Sequence, residues 1–181
     1  MADAAPLRAL VVMGVSSSGK STIAEQLADR LGWHFEDGDS FHPPANVAKM
    51  SAGQPLTDED RWPWLRAIAD AIDKVADADS HVVVACSALK RAYRDVLVHG
   101  RDDVRIVYLD GSRELIAERM AKRKNHFMPP GLLDSQFATL EVPGADENAI
   151  RVSIDASAEA IVDSIMSQLP AGTSSAPRKN S

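Results

Sequence analysis

Gly14-Val15-Ser16-Ser17-Ser18-Gly19-Lys20-Ser21 fits the pattern G-x-x-x-x-G-K-[ST], and it begins where the strand-like run Leu10-Val11-Val12-Met13 stops. A chain of this size shows that pattern by accident about once in 150, so the flanking sequence decides whether the match is real. After Ser21, Ile23, Leu27 and Leu31, with Ala24 and Ala28, recur at helical spacing, and Gly32 supplies a stop. Strand, glycine-containing loop and helix together make a phosphate cradle. The glycines let backbone N–H groups converge on phosphate oxygens without a Cβ in the way. Lys20 brings positive charge to the terminal phosphates, and the Ser21 hydroxyl is placed to ligate Mg²⁺. Thr22 continues the cradle into the first helical turn, where unpaired donors and the positive dipole end favour anions. A functionless Ser/Gly turn would give Lys20 and Ser21 no reason to follow Gly19. A nucleoside triphosphate is therefore the expected ligand of Gly14 to Thr22.

Length and charge narrow the class. At 181 residues the chain suits one domain, expected over residues 1–169, able to bury about two-thirds of its unfolded surface without disulfides or structural metal. A formal net charge of −6 repels polyanions and argues against a nucleic-acid binder. The single cysteine, Cys86, cannot form an internal disulfide. No signal-like start and no apolar stretch of membrane-spanning length is present, so a soluble cytoplasmic protein with no membrane contact is expected.

Short apolar runs alternate with amphipathic segments. Strands are predicted near Leu7 to Met13, Trp33 to Asp37, Val82 to Cys86, Val104 to Leu109 and Ile150 to Ile154. The near-continuous hydrophobicity of Val82-Val83-Val84 and Ile106-Val107-Tyr108-Leu109 fits parallel strands covered on both faces by helices, hence an α/β fold. Helices are predicted over Gly19 to Leu31, Asn46 to Ala52, Arg61 to Ala76, Leu89 to Val98, Ser112 to Lys124, Gly131 to Thr139 and Ala158 to Leu169. Thr57 followed by Asp60 has capping spacing, and Leu65, Ile68, Ile72 and Val75 form one apolar stripe behind it. A polar excursion over about 40–80 leaves room for a second substrate. The irregular stretch at about 124–131 reads as a lid. Residues 170–181, rich in Ser, Pro and small side chains, read as a disordered tail.

Phosphoryl transfer needs an acceptor hydroxyl in line with the terminal phosphate and a carboxylate beside it. Asp37-Gly38-Asp39 supplies two carboxylates where the second strand ends, the edge at which ligands gather in an open parallel sheet. Alternation along the strand would turn both the same way. Asp39 is the candidate to bind and deprotonate the hydroxyl, and Asp37 to hold the metal's water shell. Arg61 offers a planar fork for an anionic substrate group, although an ion pair with Asp58 or Asp60 explains it as well. His42 and Lys49 are candidates for sugar-like hydroxyls. Ser87, Lys90 and Arg94 follow the third strand at the same edge, with helix capping by Ser87 an equal alternative. Arg119 and Arg123 stand four apart on one helix face, one suited to stack on adenine and the other to stabilise the transferring phosphoryl group. The turn containing Asp155 can meet the adenine edge. Cys86 reads as a buried small residue.

Taken together these residues resemble the gluconokinase family of the adenylate and shikimate kinase structural group. The resemblance runs from Val12 to about Ile154. It is carried by the phosphate loop, Asp37-Gly38-Asp39, His42-Pro43, Asn46, Lys49-Met50, Asp60-Arg61, Trp64-Leu65, Cys86-Ser87-Ala88-Leu89-Lys90, Tyr93-Arg94-Asp95, Arg119, Arg123, His126-Phe127, Ser135-Gln136 and Pro143 to Glu147. It implies a P-loop NTPase fold of the nucleoside monophosphate kinase type, with a five-stranded parallel sheet in the order 2-3-1-4-5, helices on both faces and a short lid. It also implies phosphorylation of D-gluconate at the 6-hydroxyl by ATP with Mg²⁺, His126 and Gln136 at the acceptor, and a homodimer. Ser17 stands where the resemblance leads to a glycine. Two rival readings remain: a kinase of another small hydroxy acid such as shikimate, and a non-catalytic adenine-nucleotide sensor. The guanine-reading run N-K-x-D is missing.

Overall fold

The computed structural model describes residues 6–122, 130–170 and 173. Five parallel strands lie in the order β2-β3-β1-β4-β5. They are β1 (Ala9–Met13), β2 (His34–Asp37), β3 (Val82–Ala85), β4 (Val104–Asp110) and β5 (Ile150–Ser153). β1 sits in the middle, with Val11 opposite Val84 of β3 and Ile106 of β4. All five of its residues are buried, which is why it reads as an unbroken apolar run.

Alternation along β1 feeds two cores. Leu10 and Val12 join one with Ile23 and Leu27 of α1 (Lys20–Leu31) and Ile161 and Ile165 of α7 (Ala158–Gln168). Ala9, Val11 and Met13 join the other with Leu65, Ile68 and Ile72 of α3 (Asp58–Asp77) and Leu97 of α4 (Arg91–Val98). The sheet is therefore covered on both faces, as expected. The remaining helices are α2 (Pro44–Ser51), α5 (Arg113–Lys122) and α6 (Pro130–Thr139). Among the described residues, no helix is long and apolar enough to cross a membrane.

The topology places the site. β1 leads through α1 to β2 on one side, whereas its neighbour β3 leads through α4 to β4 on the other. The crevice beyond the carboxyl ends of β1 and β3 is thus the switch point at which such sheets bind ligands.

Several boundaries move. α3 begins at Asp58, three residues before the predicted start, because Thr57 and Asp60 form a reciprocal capping box. α4 begins at Arg91, two residues later than predicted, because the stretch after β3 is held in an irregular turn with Ala88 at φ 44°. The predicted lid lies largely outside the described residues, as do Arg123, His126 and most of the predicted tail.

Candidate active site

The phosphate loop leaves β1 at Gly14 and enters α1 through Gly19, whose φ of 93° is left-handed. Glycine meets that demand without strain. Ser17 adopts φ 64° with a side chain in place, so the position where a glycine was expected is indeed one that favours glycine. Lys20 Nζ donates to Val15 O at 3.1 Å, folding the lysine back over the loop. The first N–H groups of α1 have no carbonyl within the helix, as in any helix, and they face the same end of the sheet.

β2 stops at Asp37, and Gly38–Phe41 forms a 3₁₀ turn. A Cβ on Gly38 would lie 2.6 Å from Ala85 O, so only glycine lets this turn press against the end of β3. The expectation that strand alternation aligns Asp37 and Asp39 is corrected. Asp37 turns to accept the Asp39 N–H at 3.0 Å as the cap of the 3₁₀ turn. Both residues nonetheless line one cleft of about 560 Å³ together with Ser16, Lys20 and Ser21.

The far wall of that cleft comes from the excursion. Trp64 Nε1 donates to Gly38 O at 2.7 Å, tying α3 to the acidic turn. His42 stacks on Trp64 with centroids 4.2 Å apart, and its Nδ1 lies 3.2 Å from Asn46 Nδ2. Burial holds the His42 imidazole below its ordinary value. With Asn46 as donor, Nδ1 accepts and the proton sits on Nε2. Arg61 also lines the cleft; its Nη1 donates to Leu56 O at 2.8 Å and lies 3.8 Å from Asp58 Oδ1. The ion-pair explanation for Arg61 therefore has its partner in Asp58, and the guanidinium also borders the space where an anionic substrate group was expected.

Ser87 and Gln136 line the cleft as well. The capping alternative for Ser87 is set aside, because Lys90 occupies the N-cap of α4 and no side chain bonds there. Lys90 instead reaches Asp58 at 3.3 Å, and Tyr93 Oη donates to the same carboxylate at 2.5 Å. The Tyr93 bond, followed by Lys90 and Arg61, holds the Asp58 carboxyl below the usual range. Burial pushes the Tyr93 hydroxyl up to about 12, which keeps it a donor. Lys49 pairs with Asp60 at 2.7 Å, and that bond, with the Thr57 N–H, brings the Asp60 carboxyl to about 2.

Arg94 is the clear correction. Expected at the acceptor, it is 1 % exposed and lines a separate cleft between α4 and β4. Its Nε and Nη2 clasp Glu147 at 2.6 and 3.1 Å, and its Nη1 donates to Ala88 O and Leu89 O at 2.9 and 3.1 Å. Arg94 thus fixes the turn that presents Ser87 and acts on the cleft from behind. Cys86, fully buried, has its thiol pushed up to about 12 by desolvation and is no nucleophile. Arg119 donates to the carbonyl of Ile154 beside Asp155, which gathers the two groups expected near adenine.

Met50, Gln54, Leu56, Tyr93 and Thr139 all stand on the cleft wall without a role assigned from the sequence, although Met50 and Tyr93 are among the residues that carry the family resemblance. The cap at Thr57 makes Leu56 the end of the loop that precedes α3. The donor set suits magnesium. Ser21, Asp37 and Asp39 supply hard oxygens, and no cluster of three or more His, Cys, Asp or Glu ligands occurs among the described residues. An ion held by one or two protein oxygens plus substrate phosphates needs no such cage.

Comparison with known proteins identifies the family and the fold. The family model described as Shikimate kinase matches residues 16–170. A gluconokinase of Gluconobacter oxydans is 51 % identical, the match covering 88 % of this chain and 89 % of that protein. The thermoresistant gluconokinase of Escherichia coli is 42 % identical, covering 90 % and 93 %. A solved gluconokinase from Sinorhizobium meliloti superposes with a TM-score of 0.81 at 45 % identity, covering 88 % and 90 %. A shikimate kinase from Aquifex aeolicus, at 18 % identity and TM-score 0.57, shares the fold. With relatives this similar over most of its length and the phosphate-loop kinase fold shared, this chain is an enzyme that belongs to the gluconokinase family.

Proposed function

We propose that this chain transfers the terminal phosphoryl group of ATP to the 6-hydroxyl of D-gluconate, giving 6-phospho-D-gluconate and ADP. One observation carries the reading: a single cleft joins Ser16, Lys20 and Ser21 of the phosphate loop to Asp39, His42 and Arg61 of the acceptor wall. The gluconokinase relatives supply the identity of the acceptor.

The loop amides and Lys20 hold the phosphate oxygens and meet charge that builds up during transfer. Asp39 takes the proton of the 6-hydroxyl as its oxygen attacks the γ-phosphorus. The bond from that phosphorus to the β–γ bridging oxygen breaks, and ADP leaves with the electron pair. Arg61 offers two parallel donors to the sugar acid's carboxylate, while His42, neutral with its proton on Nε2, and Ser87 hydrogen-bond hydroxyls. Lys49 and Lys90 act through Asp60 and Asp58, which orient the wall. The hydroxyl of Ser21 and the carboxylate of Asp37 suit Mg²⁺, which when bound spreads the charge of the phosphates. Arg119 and the turn at Asp155 are assigned to the base. Arg123 is assigned to the transferring phosphoryl and His126 to the acceptor.

ADP release measured over a panel of hydroxy acids tests the reading, with gluconate expected to be turned over far faster than shikimate. Strong shikimate turnover with none on gluconate would give the acceptor to the rival kinase. Terminal phosphate released only as inorganic phosphate with every acceptor would leave the sensor.

A further inference from the structure

Gln136 grips the phosphate loop. Its Oε1 accepts the Ser16 N–H at 2.5 Å and its Nε2 donates to Ser16 Oγ at 2.7 Å, a two-point contact between residues 120 apart in sequence. Of residues 14–19, Ser16 alone lines the cleft that also holds Asp39 and Arg61. Ser16 is therefore the residue of that stretch at the threshold between triphosphate and acceptor, and its N–H is the loop amide that Gln136 holds. One N–H makes one good hydrogen bond, so a phosphate oxygen and Gln136 Oε1 cannot both have it.

Resting on the reading that this loop holds ATP, we infer that Gln136 competes with the terminal phosphate for the Ser16 N–H and is released when the phosphate takes it. The phosphate wins that contest. A charged acceptor makes a hydrogen bond roughly twice as strong as a neutral amide oxygen does. What is released matters for the acceptor side, because Ser135, Gln136 and Thr139 of α6 all line the cleft. The exit of α6 is meanwhile anchored: the Glu141 N–H donates to Leu89 O at 2.8 Å and Glu141 Oε1 accepts the Arg91 N–H at 2.9 Å. Nucleotide arrival at Ser16 thus frees a polar side chain at the acceptor while the end of its helix stays fixed. Gln136 is a positioning residue whose partner changes with the step of the reaction.

The test is calorimetric titration of the full chain with Mg²⁺ and a β,γ-imido ATP analogue, and separately with AMP, without acceptor. Gln136→Ala removes the competitor and is expected to bind the analogue about 2- to 10-fold more tightly than the wild type, with AMP affinity unchanged. Gln136→Glu keeps an acceptor on Ser16 but sets a negative charge against the phosphate, and is expected to weaken analogue binding more than AMP binding. A clasp that only shapes the loop predicts the opposite sign, because its loss loosens the site for both ligands. Analogue affinity in Gln136→Ala that is equal to or weaker than the wild type's, or an equal gain for AMP, overturns the inference. Failure of the underlying ATP reading has its own signature: no wild-type binding of the analogue at all. Melting curves of both variants establish that they are folded.

Discussion

Asp39 carries the heaviest chemical assignment, and its surroundings explain why the carboxylate is held where it is. The Gly38 backbone packs on Ala85, Trp64 grips Gly38 O, and the Asp39 N–H is fixed by Asp37. Asp39→Asn keeps the shape and removes the proposed base. ATP binding is expected to survive and kcat to fall about 10²- to 10⁴-fold, measured by steady-state kinetics beside nucleotide titration. Ser17 offers a stability test. A non-glycine residue at φ 64° costs about 1–2 kcal/mol in the left-handed region, against about 0.5–1 kcal/mol for the extra unfolded-state entropy of glycine. Ser17→Gly is therefore expected to stabilise the chain by about 0.5–1 kcal/mol in urea unfolding. Single residues divide sharply in legibility. Asp39 and Lys20 were readable as cleft residues because each sits inside a local motif. Arg94 misled because its partner Glu147 lies 53 residues away and nothing local announces it.

At the scale of elements, α3 joins fold to function. Its capping box uses Thr57 Oγ1 to accept the Asp60 N–H at 3.2 Å, and Asp60 Oδ2 accepts the Thr57 N–H at 2.9 Å. The same Asp60 carboxylate holds Lys49 of α2. Thr57→Ala is expected to cost about 1 kcal/mol in chemical denaturation and to raise the KM for gluconate more than the KM for ATP, since it frees the start of α3 beside Arg61. The strands were legible as apolar runs because a parallel sheet buried on both faces has no polar alternation to confuse the pattern. The start of α3 was less so. Asp58-Glu59-Asp60 reads as a loop by polarity, and Pro63 inside the helix pulls the prediction later. The reciprocal bonds of the cap and the burial of Trp64 and Leu65 outweigh the one hydrogen bond that proline removes.

Across the whole molecule, the cleft is an outcome of topology. Its walls come from five separate stretches brought to one edge by the strand order, which is why Gln54 and Thr139 carried no signal in the sequence. What locks the wall after β3 is the Arg94–Glu147 pair, with side chains 1 % and 8 % exposed. Burial alone would raise the Glu147 carboxyl, but Arg94 and the Gly144 N–H outweigh it and hold it below its ordinary value. A depressed folded-state value means that the pair's contribution is fully present above the ordinary carboxylate range and is lost as pH falls through the folded value. Glu147→Gln leaves Arg94 buried without a counter-charge and is expected to cost about 3 kcal/mol near pH 7. The gap to the wild type should close as pH drops below 4 or so, as read by urea unfolding across pH.

A triphosphate at Lys20 and a sugar acid at Asp39 are proposed to meet in that one cleft. A crystal structure with Mg²⁺, a non-hydrolysable ATP analogue and D-gluconate bound measures it directly. The 6-hydroxyl oxygen is predicted about 3–3.5 Å from the γ-phosphorus, in line with the bridging oxygen and within hydrogen-bond reach of Asp39. Gluconate bound on the far side of the sheet, or with its 6-hydroxyl turned away from the phosphate loop, would contradict it.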